Sequence, residues 1–156
     1  MTARVLPLYR ALEGKPLGRW LFSRLVCAKA PYFSSIAPRI VSLAPGRGEA
    51  TLRHRRRVTN HLGTVHAIAL CNLAEFVAGL TTEASLPASM RWIPRAMEVD
   101  YLKKARGSMR AVAMPVVAPR EADEGYELPM RVEVIDADDD IVVRATIRMW
   151  VSPRRS

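Results

Sequence analysis

Between Val65 and Leu80 the chain carries Ala67, Ile68, Ala69, Leu70, Cys71, Leu73, Ala74, Phe76, Val77 and Ala78, with almost no polar stripe among them. A helix that is apolar all round must be enclosed on most of its sides, either by lipid or by the rest of its own chain. The window from Leu62 to Leu80 approaches membrane-spanning length, but His66, Asn72 and Glu75 fall inside it, and polar groups at mid-bilayer are costly. The segments that follow read as strands, so enclosure by a sheet is expected and a membrane span is not.

Residues 3 to 30 read as one or two short amphipathic helices, interrupted by Gly14, Pro16 and Gly18. From Ile36 the apolar period changes to two. Arg39 to Leu43 is a predicted strand, Pro45 to Gly48 a turn, and Glu49 to Val58 a second strand that divides the run Arg53-His54-Arg55-Arg56-Arg57 between its two faces. Beyond the apolar helix, strands are predicted at Ile93 to Tyr101, Ser108 to Val117, Leu128 to Asp136 and Ile141 to Val151, the last two joined by the acidic turn Asp136 to Asp140. In the final strand Ile141, Val143, Ala145, Ile147, Met149 and Val151 face one way, and Arg144, Thr146 and Arg148 the other. That is the pattern of a sheet with one buried and one wet face. An antiparallel sheet wrapped around one long central helix, preceded by N-terminal helices, is an α+β hotdog architecture. At 156 residues the chain has room for one core, so a single domain over 1–156 is expected: a helical segment over 1–35, then sheet and central helix over 36–152.

Charge is distributed unevenly. Residues 1–60 hold 12 basic and 2 acidic side chains, residues 61–119 hold 6 and 4, and residues 120–156 hold 6 and 9. The front of the molecule therefore attracts anions, a field that fits nucleic acid, anionic lipid or phosphorylated ligands alike. The N-terminal basic residues Arg4, Arg10, Lys15, Arg19, Arg24 and Lys29 leave no unbroken apolar stretch for an export signal. Cys27 and Cys71, each in an apolar run, form neither a disulfide framework nor a metal cluster, and a reducing, cytoplasmic setting is expected.

Glu75 is the outlier on the apolar helix. An unpaired carboxylate there either rises in pKa or finds a donor, outcomes common to active sites and to structural pairing with an arginine. Upstream, Asn60-His61-Leu62-Gly63-Thr64-Val65-His66 reads as a strand end, a tight loop and a helix start. The free N–H groups and positive dipole end of such a first turn suit a carbonyl oxygen that gains negative charge. Nine residues separate His66 from Glu75, roughly 13 Å of helical rise, so one straight helix cannot unite them. Two helices lying antiparallel across a dimer can.

The stretch from Asn60 to Glu75 resembles the motif of hotdog thioesterases of the phenylacetic-acid-degradation type: Asn-x-x-Gly-x-x-His-Gly-Gly, then an acidic residue eight positions after the first of the paired glycines. Asn60, Gly63, His66 and Glu75 match in order and spacing, while Ala67 and Ile68 replace the glycine pair and Glu75 the more usual Asp. Trp20-Leu21-Phe22, Ala30-Pro31-Tyr32-Phe33, Arg91-Trp92-Ile93-Pro94 and Val99 to Ala105 further resemble an uncharacterised bacterial branch of hotdog proteins. The resemblance implies an acyl-CoA thioester as substrate, hydrolysed at a dimer-interface site, in a homodimer or dimer of dimers. It implies Glu75 as general base or nucleophile, the Ala67 N–H polarising the carbonyl, and Asn60 positioning water or the Glu75 of the other subunit. His66 either hydrogen-bonds near the thioester or caps its helix. Lys103, Lys104 and Arg106 would meet the phosphates of coenzyme A, with Arg55 and Arg57 as weaker candidates. No metal is implied, and no cofactor beyond the coenzyme A moiety of the substrate.

Three functions compete on this reading. A thioesterase acting through Glu75 ranks first. A non-catalytic acyl-CoA or acyl-carrier binding protein is second, favoured by Ala67-Ile68 at the glycine pair. Nucleic-acid binding is a distant third, because the basic front lacks aromatic residues on a strand face for stacking bases.

Overall fold

Gly14, Pro16 and Gly18 divide the N-terminal stretch into α1 (Val5–Glu13) and α2 (Gly18–Lys29). The structure is a computed structural model that describes residues 5–154; residues 3 and 4 of the expected helical stretch, and Arg4 of its basic series, lie outside the described residues. The joint between the helices is sterically tight. A Cβ on Gly18 would stand 1.7 Å from the Leu12 carbonyl oxygen, and Leu17 before it takes a left-handed conformation at φ 58°. Tyr9 and Phe22 hold the pair together edge to face, ring centroids 5.3 Å apart.

The sheet comprises β1 (Arg39–Ala44), β2 (Arg47–Leu52), β3 (Met90–Tyr101), β4 (Met109–Pro115), β5 (Tyr126–Ile135) and β6 (Ile141–Pro153). Their spatial order is β1-β2-β4-β5-β6-β3, with every neighbouring pair antiparallel. The period-two pattern is realised in β5 and β6: Leu128, Met130, Val132, Val134, Val143, Ala145, Ile147, Met149 and Val151 are all buried. Against this inner face lies α3 (Ala67–Ser85), with Leu73, Ala74, Val77 and Ala78 wholly inaccessible to solvent. This is the hotdog arrangement expected from the sequence. Thr81 and Thr82, also fully buried, donate to the carbonyls of Val77 and Ala78 one turn back, so neither hydroxyl is stranded in the core. By length and composition α3 could cross a membrane, but 72% of its most apolar window is buried inside the molecule as the core helix.

One predicted element is corrected. The strand expected from Glu49 to Val58 ends at Leu52, whose pairing with Met109 is the last rung of the β2–β4 ladder. Beyond it the His54 N–H donates to Ser108 Oγ, Arg55 Nη2 donates to the Ile36 carbonyl at 2.9 Å, and Arg56–Val58 form a short 3-10 turn. The basic run is therefore loop and turn, not the two faces of a strand. Past Leu52 no residue of β4 is left to pair with, and a strand without a partner has no ladder to hold it.

The two sheet edges differ. Along β1 the backbone meets α2, where Ser23 Oγ accepts the Ile40 N–H at 2.9 Å. The other edge is β3, 12 residues long with an irregularity between Pro94 and Ala96, and its outer side has no strand partner among the described residues.

Candidate functional site

The start of α3 is set by a tightly bonded loop. Asn60 Oδ1 accepts from the N–H groups of Leu62 at 3.0 Å and Thr64 at 3.2 Å, and its Nδ2 donates to Thr64 Oγ1 at 2.9 Å. Gly63 supplies the left-handed residue at φ +74°, and the Val65 N–H donates to the Ala105 carbonyl at 2.8 Å. Asn60 thus shapes the loop that delivers the helix. His66 is the N-cap: its Nδ1 accepts the Ile68 N–H at 3.1 Å, which places the proton of the neutral ring on Nε2. Of the two roles open to His66, the cap is the one its geometry fills. The Ala67 N–H, next to that cap, has no backbone partner among the described residues. Ile68 beside it is 57% exposed.

A hollow of about 180 Å³ opens at this helix end, lined among others by Tyr32, Ser35, Arg57, His66, Ile68 and Asn72. Asn72 is buried to within 6% of full enclosure; its Nδ2 donates to Ser35 Oγ at 3.2 Å, while its Oδ1 has no partner among the described residues. The sequence marked Asn72 as polar on an apolar helix without giving it a role. Its partner Ser35 lies 37 residues away, in the 3-10 turn Pro31–Ser35, and carried no sequence signal of its own.

Ile68, Cys71, Glu75, Gly79 and Glu83 fall close to one stripe of α3, since four residues advance the helix by little more than a full turn. β3 runs along this stripe. Near the C-terminal end the Trp92 ring covers Gly79, and Trp92 Nε1 donates to Glu83 Oε2 at 2.7 Å, with Arg154 3.8 Å from the same carboxylate. Near the N-terminal end Tyr101 Oη meets Cys71 Sγ at 3.0 Å. Hydrogen bonding to that thiol, with burial behind it, pushes the Tyr101 phenol up to about 12. Between these two contacts Glu75 is half-buried and joins none of the hydrogen bonds or ion pairs made by α3 among the described residues. Glu75 lies outside the lining of the hollow at the helix start. Within one chain the structure therefore keeps Glu75 apart from Asn60, His66 and Ala67, as the helical rise requires.

Of the three basic residues expected at coenzyme A, Lys103 donates to Asp136 Oδ2 at 3.1 Å and to Asp140. Those two aspartates hold its ammonium above the usual lysine range. Burial pulls Asp136 upward, but Lys103 and the N–H groups of Asp140 and Asp138 outweigh it, leaving the carboxyl below the ordinary aspartate value. Lys104 and Arg106 are exposed and enter no ion pair among the described residues. No group of three or more His, Cys, Asp or Glu side chains able to hold a metal ion occurs among the described residues.

Comparison with known proteins agrees with this architecture. A structural-genomics target of known structure is 45% identical, covering 97% of this chain and 99% of its own length, with a TM-score of 0.82. A thioesterase of Haemophilus influenzae is 15% identical over 83% of this chain and 87% of its own, TM-score 0.71. A thioesterase family protein of Silicibacter pomeroyi is 17% identical over 85% and 96%, TM-score 0.67. At such identities the latter two show the common fold. A comparison with curated proteins found no match. A family model described as Domain of unknown function (DUF4442) matches residues 18–151, and the chain belongs to that family.

Proposed function

We propose that the protein is an acyl-CoA thioesterase whose site forms between two copies of the chain, in a homodimer or dimer of dimers in the cytoplasm. The observation that carries the reading is Glu75: a half-buried carboxylate with no partner among the described residues, between the Cys71–Tyr101 and Glu83–Trp92 contacts of α3 and along a sheet edge with no further strand among those residues. A second β3 laid antiparallel along that edge continues the sheet, satisfies its outer backbone groups and brings the partner's helix start toward Glu75. Glu75 then takes a proton from water, which attacks the thioester carbonyl. The carbonyl oxygen, gaining charge, receives the Ala67 N–H of the other copy, and the C–S bond breaks to give a carboxylic acid and the thiol of coenzyme A. Asn60 acts by fixing the loop that aims this N–H, and His66 by capping the helix beside it. Lys104 and Arg106 are proposed to meet the coenzyme A phosphates, with Lys103 holding their loop to Asp136 and Asp140. Free Cys27 and Cys71 suit a reducing compartment.

Release of thiol from a panel of acyl-CoA esters tests the reading. Turnover of at least one ester is expected, lost in Glu75→Gln with the fold unchanged; equal rates in the two proteins remove Glu75 from the mechanism.

One observation favours a second reading. The exposed Ile68 side chain stands where the resembled motif has glycine, crowding the approach to the Ala67 N–H. On that account the protein binds acyl-CoA or an acyl carrier without hydrolysis, and saturable binding with no thiol release from any ester would establish it.

A further inference from the structure

The charge asymmetry of the sequence converges on a place that no residue of α3 lines. A cleft of about 850 Å³ lies where α2, the start of β1, the segment after β2, the start of β4 and the β5–β6 turn meet. Arg24, Arg39, Arg53, Arg55 and Arg110 line it. None of Asn60, His66, Ala67, Glu75, Lys103, Lys104 or Arg106 does.

Two acidic residues share the cleft, and both are already engaged. Asp139 meets Arg110 at 3.2 Å, and Asp136 is held by Lys103 and by backbone N–H groups. Arg24, Arg39 and Arg53 are exposed and form no ion pair among the described residues. Arg55 is half-buried in the wall; among the described residues its Nη2 reaches only the Ile36 carbonyl, and its Nε is buried without a partner. A guanidinium partly withdrawn from water and faced by no carboxylate is costly unless an anion completes it. Arg55 in the wall, with the exposed Arg24, Arg39 and Arg53 around the same cleft, matches the oxygens of phosphate, which arginine grips two at a time. Trp20, 44% exposed, brings an indole to the same wall. The cleft falls within the range of about 300–1,000 Å³ usual for small-ligand sites. With one aromatic platform it suits a single base, whereas a nucleic-acid strand needs a row of them.

We propose that this cleft binds a phosphorylated nucleoside, its phosphates held by Arg24, Arg39, Arg53 and Arg55 and its base stacked on Trp20. The proposal does not depend on turnover at Glu75.

Calorimetric titration with adenosine 3′,5′-bisphosphate tests it. Saturable binding is expected, weakened at least about tenfold in Arg39→Glu/Arg53→Glu, where both side chains are exposed and circular dichroism checks the fold. Trp20→Ala should weaken it further, and Glu75→Gln should leave it intact. Coenzyme A binding more tightly than the free nucleotide would identify the ligand as the nucleotide end of coenzyme A, held here in place of Lys104 and Arg106. Equal affinity would identify a separate nucleotide site, and both results support the assignment. Absence of saturable binding at millimolar ligand, or undiminished binding in the double arginine variant, overturns it. So does ribose 5-phosphate binding as tightly as the nucleotide, or a single-stranded oligonucleotide binding where the nucleotide does not.

Discussion

Glu75 and Glu83 stand two turns apart on the same stripe of α3, yet their surroundings are opposite. Glu83 lies under β3, where the Trp92 indole donates to it and Arg154 neutralises it across 3.8 Å. Glu75 has neither donor nor cation among the described residues, although Tyr101 and Trp92 stand on either side of its stretch of helix. The chain therefore satisfies one carboxylate on this helix from within the fold and leaves the other without a partner among the described residues. A carboxylate that finds its partner inside the fold is structural; one that does not is available to a substrate or a second chain.

The largest effect expected from breaking this contrast is on catalysis. Glu75→Gln should lower thiol release by about 10²–10⁴-fold, the usual worth of a positioned general base, while Glu83→Gln should leave turnover intact and act on stability alone. Reversal of the two would place the chemistry at the closed end.

Next comes the roof itself. Trp92→Ala uncovers Gly79 and strips Glu83 of its donor, and should cost about 2–3 kcal/mol in chemical denaturation, less than a fully buried tryptophan because Trp92 is only half-buried. A smaller loss, about 1 kcal/mol, is expected for Gly79→Ala: its Cβ would stand 2.9 Å from a Trp92 ring held by its bond to Glu83, and this overpacking should exceed the gain in helix propensity. Unchanged stability in that variant would show the roof to be loose.

The smallest effect lies at the open end, in alkaline pH. The folded state holds the Tyr101 proton up to about 12 against 10.0 for the ordinary phenol. Its contribution to stability is complete below pH 10.0 and is lost as pH rises toward 12, because the unfolded chain releases the proton first. Cys71→Ala removes the main cause of the shift, so its stability profile should be flatter over that interval. Denaturant midpoints measured across the alkaline range check this.

The helix, the strands and their succession along the chain were legible in the sequence because the apolar period is a local property. Alternation in Ile141 to Val151 and continuous apolarity in Val65 to Leu80 each admit few solutions. The helix break at Gly14 to Gly18 was equally plain. The end of β2 was not, since a strand lasts only as long as its neighbour, and the neighbour of β2 begins at Met109. The pairing of Lys103, a residue expected at the coenzyme A phosphates, was hidden for the same reason: its partners Asp136 and Asp140 lie more than thirty residues away.

The sequence by itself determined that one greasy helix must be wrapped by an antiparallel sheet, that Glu75 is anomalous on it, and that positive charge gathers in the first sixty residues. Only the tertiary structure decided which charges are answered. Among the described residues Glu83 is matched and Glu75 is not; Lys103 is paired, while Arg24, Arg39, Arg53 and Arg55 line one cleft whose two acids, Asp136 and Asp139, are engaged by other cations. Hydrophobic period is written into neighbouring residues, whereas electrostatic pairing depends on which distant segments the fold brings within a few ångströms.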